Sequence, residues 1–304
     1  RVSPLHRGRQ HSADSIAGMD SRLPALHLHA LTHTGHVRSI NQDAHALLQR
    51  AHTALLADGL GGGPAGEVAA AMAVEVISEC LLSLLGDTAG GAQPTLDPEQ
   101  DLLRREQALR MAVTQANTAI HAHSQAHLNC AGMGTTLVLA HWCGAHLLVG
   151  HVGDSRAYRL KAVQWAVAGH RHHRHELQLL THDHSTVQAA SGTRLAQAAD
   201  YGGLSHAPSS SPRLTRALGV EPEVVLELHR HRVDPGDAVL LCSDGLTDML
   251  SDEQIESVFH DAVGPEGARP DALSTATQAL VDAALRAGGR DNITVLLGVQ
   301  GVPP

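Results

Sequence analysis

One apolar segment of the chain ends at an aspartate and passes into a glycine-rich turn. Residues 53–57 form the mainly apolar segment, Asp58 follows it, and glycine dominates residues 59–66. A short apolar run bounded by glycine and proline predicts a buried strand, and Pro64 before an alanine-rich stretch predicts a helix start. Asp58 is therefore predicted at the end of a strand, where glycines leave backbone groups open to a ligand.

Two kinds of ligand fit such a turn. Gly61, Gly63 and Gly66 have the G-x-G-x-x-G spacing of dinucleotide-binding turns. That motif also needs an acidic residue at the end of the next strand, about 20 residues later, whereas Glu79 falls inside the predicted helix. The turn also has Walker spacing, but Glu67 replaces the lysine and would repel a phosphate. The other ligand is a hard cation bound by the aspartate and a neighbouring carbonyl.

The composition is that of a globular protein with an aliphatic core. Of 304 residues, 43% are hydrophobic, 17% are charged and only 2% are aromatic. The net charge of -9 comes without a basic stripe, which argues against nucleic acid or an anionic membrane as partner. We expect no apolar run to approach the roughly 20 residues that span a bilayer. The cysteines have no paired spacing, which favours reduced thiols in a cytoplasm.

The first residues and one histidine-rich tract differ from the rest of the chain. Residues 1–24 are polar and lack the apolar region of a secretory signal, so they predict a disordered leader, with Met19 a candidate start. One domain is predicted over residues 25–300. Histidine and arginine are dense at residues 170–175. This tract could bind a metal, but its composition is more typical of a solvated loop.

Hydrophobic periodicity divides the chain into blocks of helices and blocks of strands. The predicted helices cover residues 65–85, 98–126, 251–259 and 272–287, and the predicted strands cover residues 26–31, 44–49, 135–142, 145–152, 156–160, 177–181, 224–228, 238–242 and 292–299. Because these elements do not alternate steadily as βαβ units, they favour an antiparallel α+β fold. That fold class weakens the dinucleotide hypothesis.

Five aspartates share one setting, next to the predicted start or end of an apolar strand: Asp43, Asp58, Asp154, Asp244 and Asp291. Each one alone is more often a turn residue. Together, carboxylates that converge at one sheet edge would repel one another strongly unless cations lie among them. Oxygen ligands without histidine or cysteine favour Mg²⁺ or Mn²⁺ over Zn²⁺.

Metal ligands of this kind suit the activation of water. Two divalent cations about 4 Å apart can bridge a water, lower its pKa and direct it at a phosphorus or carbonyl centre. Arg38 lies shortly before Asp43 and offers a planar set of donors that can hold two phosphate oxygens. A surface ion pair is the alternative role for this arginine.

Short motifs around these residues follow one another in a recognisable order. They lie at residues 34–35, 38–44, 57–62, 66–67, 133–136, 152–156, 183–185, 214–219, 242–248 and 289–294. In this order they resemble the PP2C-type metal-dependent protein serine/threonine phosphatases, particularly the single-domain bacterial members. The resemblance implies a four-layer αββα sandwich of two antiparallel sheets flanked by helices, with a dinuclear metal centre at one edge.

The resemblance also assigns roles to individual residues. Asp58 would bridge two Mn²⁺ or Mg²⁺ ions, and the Gly59 carbonyl would bind one of them. Asp244 and Asp291 would complete the first ion's ligands, and Asp43 would act through a metal-bound water.

Further implied roles concern a third ion, the substrate and a flap. Asp154 with Asp244 would hold a weaker third ion. Arg38 would take the substrate phosphate. Residues from about 185 to 212 would form the flap that modulates substrate access.

The implied activity is hydrolysis of phosphoserine and phosphothreonine in proteins by a water or hydroxide that bridges the metals. The expected partners are substrates of a cognate serine/threonine kinase, and the chain is expected to be a cytoplasmic monomer. Leu60 stands where some family members have a histidine, so we predict that a metal-bound water protonates the leaving alkoxide. Gln42 and His33 stand where acidic residues are frequent in the family.

Two other functions stay open at this point. A non-catalytic member of the same fold would bind metal and phosphoproteins without turnover, although ligands at all five aspartate positions argue against it. A dinucleotide-binding oxidoreductase rests only on the glycine spacing after Asp58.

Overall fold

A computed structural model describes residues 25–60, 65–86, 97–167, 170–185, 214–234, 236–264 and 267–301, and it describes the side chains of these residues except at positions 164–173. The predicted leader and the glycines at 61–63 lie outside the described residues. The predicted flap also lies outside them, except for Ser185 at its start. Residues 181–185 further predict a turn that leads into a helix, and that helix would lie outside the described residues.

The described chain consists of antiparallel strands and helices that come in blocks. In chain order these are β1 (Leu26–His33), β2 (Asp43–Leu48), β3 (Thr53–Leu60), α1 (Ala65–Leu85), α2 (Pro98–Ala126), β4 (Gly134–Thr135), β5 (Leu137–Cys143), β6 (His146–Val152), β7 (Arg156–Val167), β8 (His170–Leu179), β9 (Glu227–Arg232), β10 (Ala238–Cys242), α3 (Asp244–Thr247), α4 (Asp252–Val263), α5 (Leu273–Arg286) and β11 (Ile293–Gln300). The first sheet has the order β1-β11-β10-β7-β8. The second has the order β2-β3-β5-β6-β9, with β4 paired to β3.

Successive side chains of the strands fill three apolar layers. Leu56 of β3 and Leu241 of β10 lie in the layer between the two sheets. Leu55 packs with α1 and α2 on the outside of the second sheet, and Leu240 packs with α4 and α5 on the outside of the first. Because both faces of each sheet are buried, the central strands are continuously apolar. This arrangement confirms the predicted α+β fold and its four αββα layers.

Helix α1 has the predicted bounds but contradicts one expectation, because by length and composition it is apolar enough to cross a membrane. Its buried residues recur at helical spacing, among them Ala69, Ala73 and Ile77, and they pack with α2 and the second sheet. Small residues bring this helix close to β3. A Cβ atom added to Gly66 would lie 2.9 Å from the Gly59 carbonyl oxygen. Packing in the core therefore accounts for the apolar residues on the buried face of α1.

The histidine-rich tract at 170–175 is not the solvated loop that its composition favoured, since it lies in β8. This strand pairs with β7 along its whole length, from Leu179 opposite Tyr158 to His170 opposite Val167. It is the last strand in its sheet, and edge strands tolerate charged side chains that central strands do not. Backbone pairing with β7 therefore decides the conformation of the tract.

Other strand bounds differ less. Strand β3 continues past Asp58 because Gly59 and Leu60 pair with β4, so the aspartate lies just inside the strand instead of at its end. Strand β7 extends well beyond residue 160 because β8 is its partner. Strand β9 begins at Glu227, later than predicted, where pairing with β6 starts.

Candidate metal centre

The five predicted aspartates lie at one end of the sandwich and together form what we call the carboxylate centre. Asp43 opens β2, Asp58 is its cross-strand partner in β3, and Asp154 lies in the turn between β6 and β7. Asp244 begins α3 directly after β10, and Asp291 lies just before β11. Two of these residues belong to strands of the second sheet and two border strands of the first. The centre therefore lies where the ends of the two sheets meet.

Asp43 is held by hydroxyl groups from the first sheet. Its Oδ2 atom accepts hydrogen bonds from Ser243 Oγ at 2.9 Å and from Thr294 Oγ1 at 2.5 Å. Its Oδ1 atom is buried and has no hydrogen-bond partner among the described residues. Loss of solvation outweighs the two hydroxyl bonds and, together with the charge of Asp291, raises the pKa of Asp43 to about 6.

Asp58 and Asp244 show the strongest electrostatic effect in the centre. Loss of solvation and then the neighbouring carboxylates raise the pKa of each well above its ordinary value. The carboxylates that act on Asp58 are, in order, those of Asp244, Asp43, Asp154 and Asp291. Four negative groups that act on a fifth must lie near one point, so the structure brings together the residues that the sequence analysis selected.

Two further acidic residues border the centre, although the sequence analysis gave them no role. Loss of solvation, followed by the charges of Asp183 and Asp248, raises the pKa of Asp154 to about 6. Arg156 binds Asp183 through two nitrogens, with Nε 2.9 Å from Oδ1 and Nη2 2.7 Å from Oδ2. Asp248 follows Asp244 by one helical turn, and this spacing was a signal in the sequence that the two could share a face.

Threonines of the second sheet fix the backbone of Asp58. Its peptide nitrogen donates to Thr136 Oγ1 at 3.0 Å, and its carbonyl oxygen accepts from Thr135 Oγ1 at 2.8 Å. The Thr136 hydroxyl is also 2.7 Å from Ser155 Oγ, beside Asp154. The position of the Asp58 carboxylate therefore depends on buried hydroxyl groups as well as on the strand.

Gly59 is required by its close surroundings. A Cβ atom at this position would lie 2.1 Å from the Gly66 carbonyl oxygen and 2.9 Å from that of Gln42. The peptide nitrogen of Gly59 donates to the Gln42 carbonyl at 3.1 Å. Glycine thus lets three backbone segments meet directly beside Asp58.

Asn292 joins the loops that carry the predicted substrate arginine and two aspartates. Its Oδ1 atom accepts from the peptide nitrogen of Gln42 at 2.8 Å, and its Nδ2 atom donates to the carbonyls of Thr34 at 2.9 Å and Ile40 at 3.0 Å. The side chain is buried, so these bonds are shielded from water. Sequence reasoning missed this residue, although its position directly after Asp291 was a signal.

Arg38 lies at the solvent side of the centre. Its Nη2 atom donates to Asp291 Oδ2 at 2.6 Å, and 49% of the arginine side chain is exposed. The guanidinium is therefore anchored by one carboxylate while it remains accessible from solution. An anchored, accessible guanidinium can bind an incoming phosphate.

The residues of the carboxylate centre fit divalent cations. Asp43 Oδ1 is a buried acceptor that lacks a donor among the described residues, and neighbouring carboxylates raise the pKa of both Asp58 and Asp244. Both effects are relieved when cations lie among the oxygens. The predicted donors are carboxylate oxygens and the Gly59 carbonyl, a set that suits Mg²⁺ or Mn²⁺.

Comparisons with known proteins agree with this chemistry. A family model described as Protein phosphatase 2C matches residues 32–283. The serine/threonine phosphatase stp of Listeria monocytogenes is 30% identical over 275 residues, which cover 90% of this chain and 95% of that protein. The serine/threonine protein phosphatase PstP of Mycobacterium tuberculosis is 34% identical over 268 residues, which cover 86% of this chain and 43% of that protein.

A solved structure resembles the fold at similar identity. The catalytic domain of the serine/threonine protein phosphatase PstP, in complex with two manganese ions, is 31% identical and superposes with a TM-score of 0.65. The match covers 91% of this chain and 99% of that domain. The likeness therefore extends over both sheets and the helices that flank them.

Proposed function

This chain belongs to the protein phosphatase 2C family and is a metal-dependent protein serine/threonine phosphatase, and we propose that its carboxylate centre is the active site. The observation that carries the proposal is the convergence of Asp58 and Asp244, which come from different sheets, beside the buried oxygen of Asp43 that has no described partner. The chain has gathered negative charge at the place where cations would offset it.

The residues that would hold two divalent cations are Asp58, the Gly59 carbonyl, Asp244 and Asp291, with Asp43 acting through a water. When bound, the cations supply an activated water as nucleophile and offset the charge of the carboxylates. The threonine bonds described above keep Asp58 in place, so its carboxylate does not have to reorganise during the reaction.

Arg38 and Leu60 define how the substrate is handled. Arg38 binds the phosphate oxygens, and its bond to Asp291 orients the guanidinium before the substrate arrives. Leu60 carries no titratable group, so the leaving serine or threonine alkoxide takes its proton from water. The P–O bond to the side chain breaks as the bond from water to phosphorus forms, and inorganic phosphate leaves.

Mn²⁺ and Mg²⁺ are both candidates for the pair of cations, and Asp154 with Asp244 would hold a weaker third ion. The support for the third ion is the negative field of Asp183 and Asp248 around Asp154. We expect Asp154→Ala to lower turnover while two ions remain bound, as measured by metal content after gel filtration. If turnover and metal content both stay at wild-type levels, Asp154 is a turn residue only.

The substrates we propose are proteins that a cognate serine/threonine kinase has phosphorylated, within bacterial signalling. We propose that the chain acts as a monomer in the cytoplasm. Its four cysteines are free, which is the usual state in a reducing compartment.

Turnover of p-nitrophenyl phosphate with Mn²⁺ and with EDTA tests the proposed function. We expect activity with Mn²⁺, loss of activity in EDTA, and recovery when Mn²⁺ is added back. Activity that survives complete chelation would overturn the mechanism. Binding of a phosphopeptide without turnover in saturating Mn²⁺ would instead favour the non-catalytic alternative.

A further inference from the structure

A second group of metal-binding side chains lies beside the carboxylate centre but shares no residue with it. His151 is the second-last residue of β6, His184 follows β8, and Glu227 is the first residue of β9. One nitrogen of each histidine and a carboxylate oxygen of Glu227 all lie within 4.8 Å of one another. Both histidines are buried, with exposed fractions of 0% and 8%. We call these three residues the histidine cluster.

His151 presents an open nitrogen in the interior. Its Nε2 atom is 2.8 Å from the His182 carbonyl oxygen, a shorter contact than the 3.4 Å to the His182 peptide nitrogen. A carbonyl can only accept, so Nε2 carries the proton and Nδ1 carries the lone pair. The Nδ1 atom is buried and has no hydrogen-bond partner among the described residues. Metal-binding histidines characteristically donate their other N–H to a backbone carbonyl in this way.

His184 and Glu227 form the other half of the cluster. The peptide nitrogen of Gly153 donates to His184 Nδ1 at 3.1 Å, so the proton of this ring lies on Nε2, which is 3.0 Å from Glu227 Oε2. The other carboxylate oxygen of Glu227 is 2.9 Å from His229 Nε2. Burial opposes ionisation of Glu227, but the bonds from His184 and His229 outweigh it and lower its pKa to about 2.

The cluster therefore offers two uncharged imidazoles and one ionised carboxylate. Loss of solvation lowers the pKa of His151 and of His184, so both rings are neutral near pH 7. Of the positive groups in the described part of the chain, Arg216 contacts the cluster: its Nη1 atom lies 3.5 Å from His184 Nε2. This is the longest contact of that nitrogen, and the arginine is exposed, so it can turn into solvent.

We propose that His151, His184 and Glu227 bind one transition-metal ion of the Zn²⁺ class, at a site separate from the carboxylate centre. Two imidazoles and a carboxylate are a donor set that zinc uses with a fourth position left to solvent. Zinc–nitrogen bonds are about 2.0–2.1 Å long, so the stacked rings, whose centroids are 4.7 Å apart, have to move slightly towards the ion.

A metal bound at this site would change the backbone next to Asp154. Binding at His184 Nε2 displaces the proton from that atom, and the proton then resides on Nδ1, where the Gly153 peptide nitrogen now donates. Two donors cannot share one hydrogen bond, so the bond to Gly153 opens. Gly153 has φ +108 and packs against Thr136, the residue that also holds Asp58. The metal would thus alter the backbone on which Asp154 is carried.

Zinc binding by the full chain tests the proposal. Protein stripped with EDTA is titrated with Zn²⁺ against a fluorescent chelator in excess Mg²⁺, which competes for the carboxylate centre. We compare the wild type with His151→Gln and Glu227→Gln, and use His146→Gln, a substitution on the same strand as His151, as the matched control. We expect one tight Zn²⁺ in the wild type and in His146→Gln, and an affinity at least about 100-fold lower in the other two variants.

The same titration of Asp58→Asn separates this site from the active site. We expect this variant to lose turnover but to keep the tight Zn²⁺, so that failure of the phosphatase mechanism and failure of the zinc site give different results. Circular dichroism on each variant shows whether it is folded. If His151→Gln does not fold, Glu227→Gln still tests the site, because it changes a partly exposed residue. Equal zinc affinity in the wild type and a folded cluster variant would overturn the proposal, and so would absence of a tight ion from the wild type.

Discussion

The carboxylate centre and the histidine cluster are joined through Gly153, yet the pKa values of their carboxylates are shifted in opposite directions. In the carboxylate centre, loss of solvation and the charges of neighbouring carboxylates raise the pKa of Asp43, Asp58, Asp154 and Asp244. In the histidine cluster, Glu227 accepts hydrogen bonds from two histidines and has a lowered pKa. One group of residues gathers charge of a single sign, whereas the other pairs donors with acceptors.

This difference shows what each group needs from a ligand. Without cations the carboxylates repel one another in the folded protein, so a bound metal removes a repulsion that destabilises the fold. The histidine cluster is stable without a metal, apart from the open nitrogen of His151, and a metal must replace bonds that already exist. The carboxylate centre should therefore gain more stability from metal than the histidine cluster does, and four variants measure the contrast.

Asp58→Asn should have the largest effect. Asparagine keeps the shape of the side chain but not its charge, so we expect kcat for p-nitrophenyl phosphate with Mn²⁺ to fall about 100- to 1,000-fold. In EDTA the same variant should raise Tm by roughly 5–8 °C, because one repelling carboxylate is gone. Asp271→Asn, at a side chain that is 74% exposed, is the control and should change neither quantity. A lower Tm in EDTA would contradict the electrostatic account.

Arg38→Ala should come next. The loss of a charge-assisted bond to the phosphate should lower kcat/KM roughly 10- to 100-fold, mainly through a higher KM. Because half of this side chain is exposed, Tm should change little. Arg38→Lys keeps the charge without the planar fork and should recover only part of the activity. Unchanged kinetics in Arg38→Ala would leave the arginine as a surface ion pair with Asp291.

Asp154→Asn tests the carboxylate repulsion through pH. The pKa of Asp154 is raised from 3.8 to about 6 in the folded protein, so the folded state binds a proton more tightly than the unfolded chain does. The stability this provides is present below pH 4 and is lost as pH rises through 6. In EDTA, Asp154→Asn and the wild type should therefore have nearly the same Tm at pH 4, and at pH 7 the Tm of the variant should be about 5 °C higher.

The comparison of two proteins at each pH cancels the titration of the histidines, which both contain. A Tm difference that does not depend on pH would show that Asp154 is not destabilised by its neighbours. Addition of Mn²⁺ at pH 7 should make the difference smaller, because the metal offsets the charge of Asp154 in the wild type.

Glu227→Gln should have the smallest effect and the opposite sign. His184 and His229 contact different oxygens of Glu227, and glutamine keeps only one of these acceptors, without charge. We therefore expect Tm in EDTA at pH 7 to fall by roughly 2–4 °C. A rise in Tm, as expected for Asp58→Asn, would mean that the two regions do not differ in the way described here. Differential scanning calorimetry of both variants in one buffer makes the comparison direct.

Much of the fold could be predicted from the sequence, and the errors in that prediction have physical causes. The bounds of α1 and α2 follow from helical spacing of apolar residues, which is a local property. The strand predicted at residues 177–181 covers only the end of β8, because the polar composition of residues 170–175 resembles a loop and only pairing with β7 makes them a strand. Strand β3 runs past Asp58 because β4, far along the chain, pairs with its last two residues.

The candidate site shows the same division. The five aspartates were found because each adjoins an apolar strand, and that pattern is written in the sequence. Asn292 and Ser243 were not found, because they act on Gln42 and Asp43 from positions 250 and 200 residues away. The histidine cluster was missed because histidine is so frequent in this chain that no single one gave a signal.

The sequence by itself determined which chemical groups this protein can offer to a ligand, since oxygen donors, glycines and apolar strands are properties of short segments. Only the tertiary structure decided which of those groups meet, because the packing of two sheets brings together residues that no spacing rule connects. Asp43 is the clearest case: its identity as a carboxylate is local, but its burial beside Thr294, and therefore its raised pKa, depends on the opposite sheet.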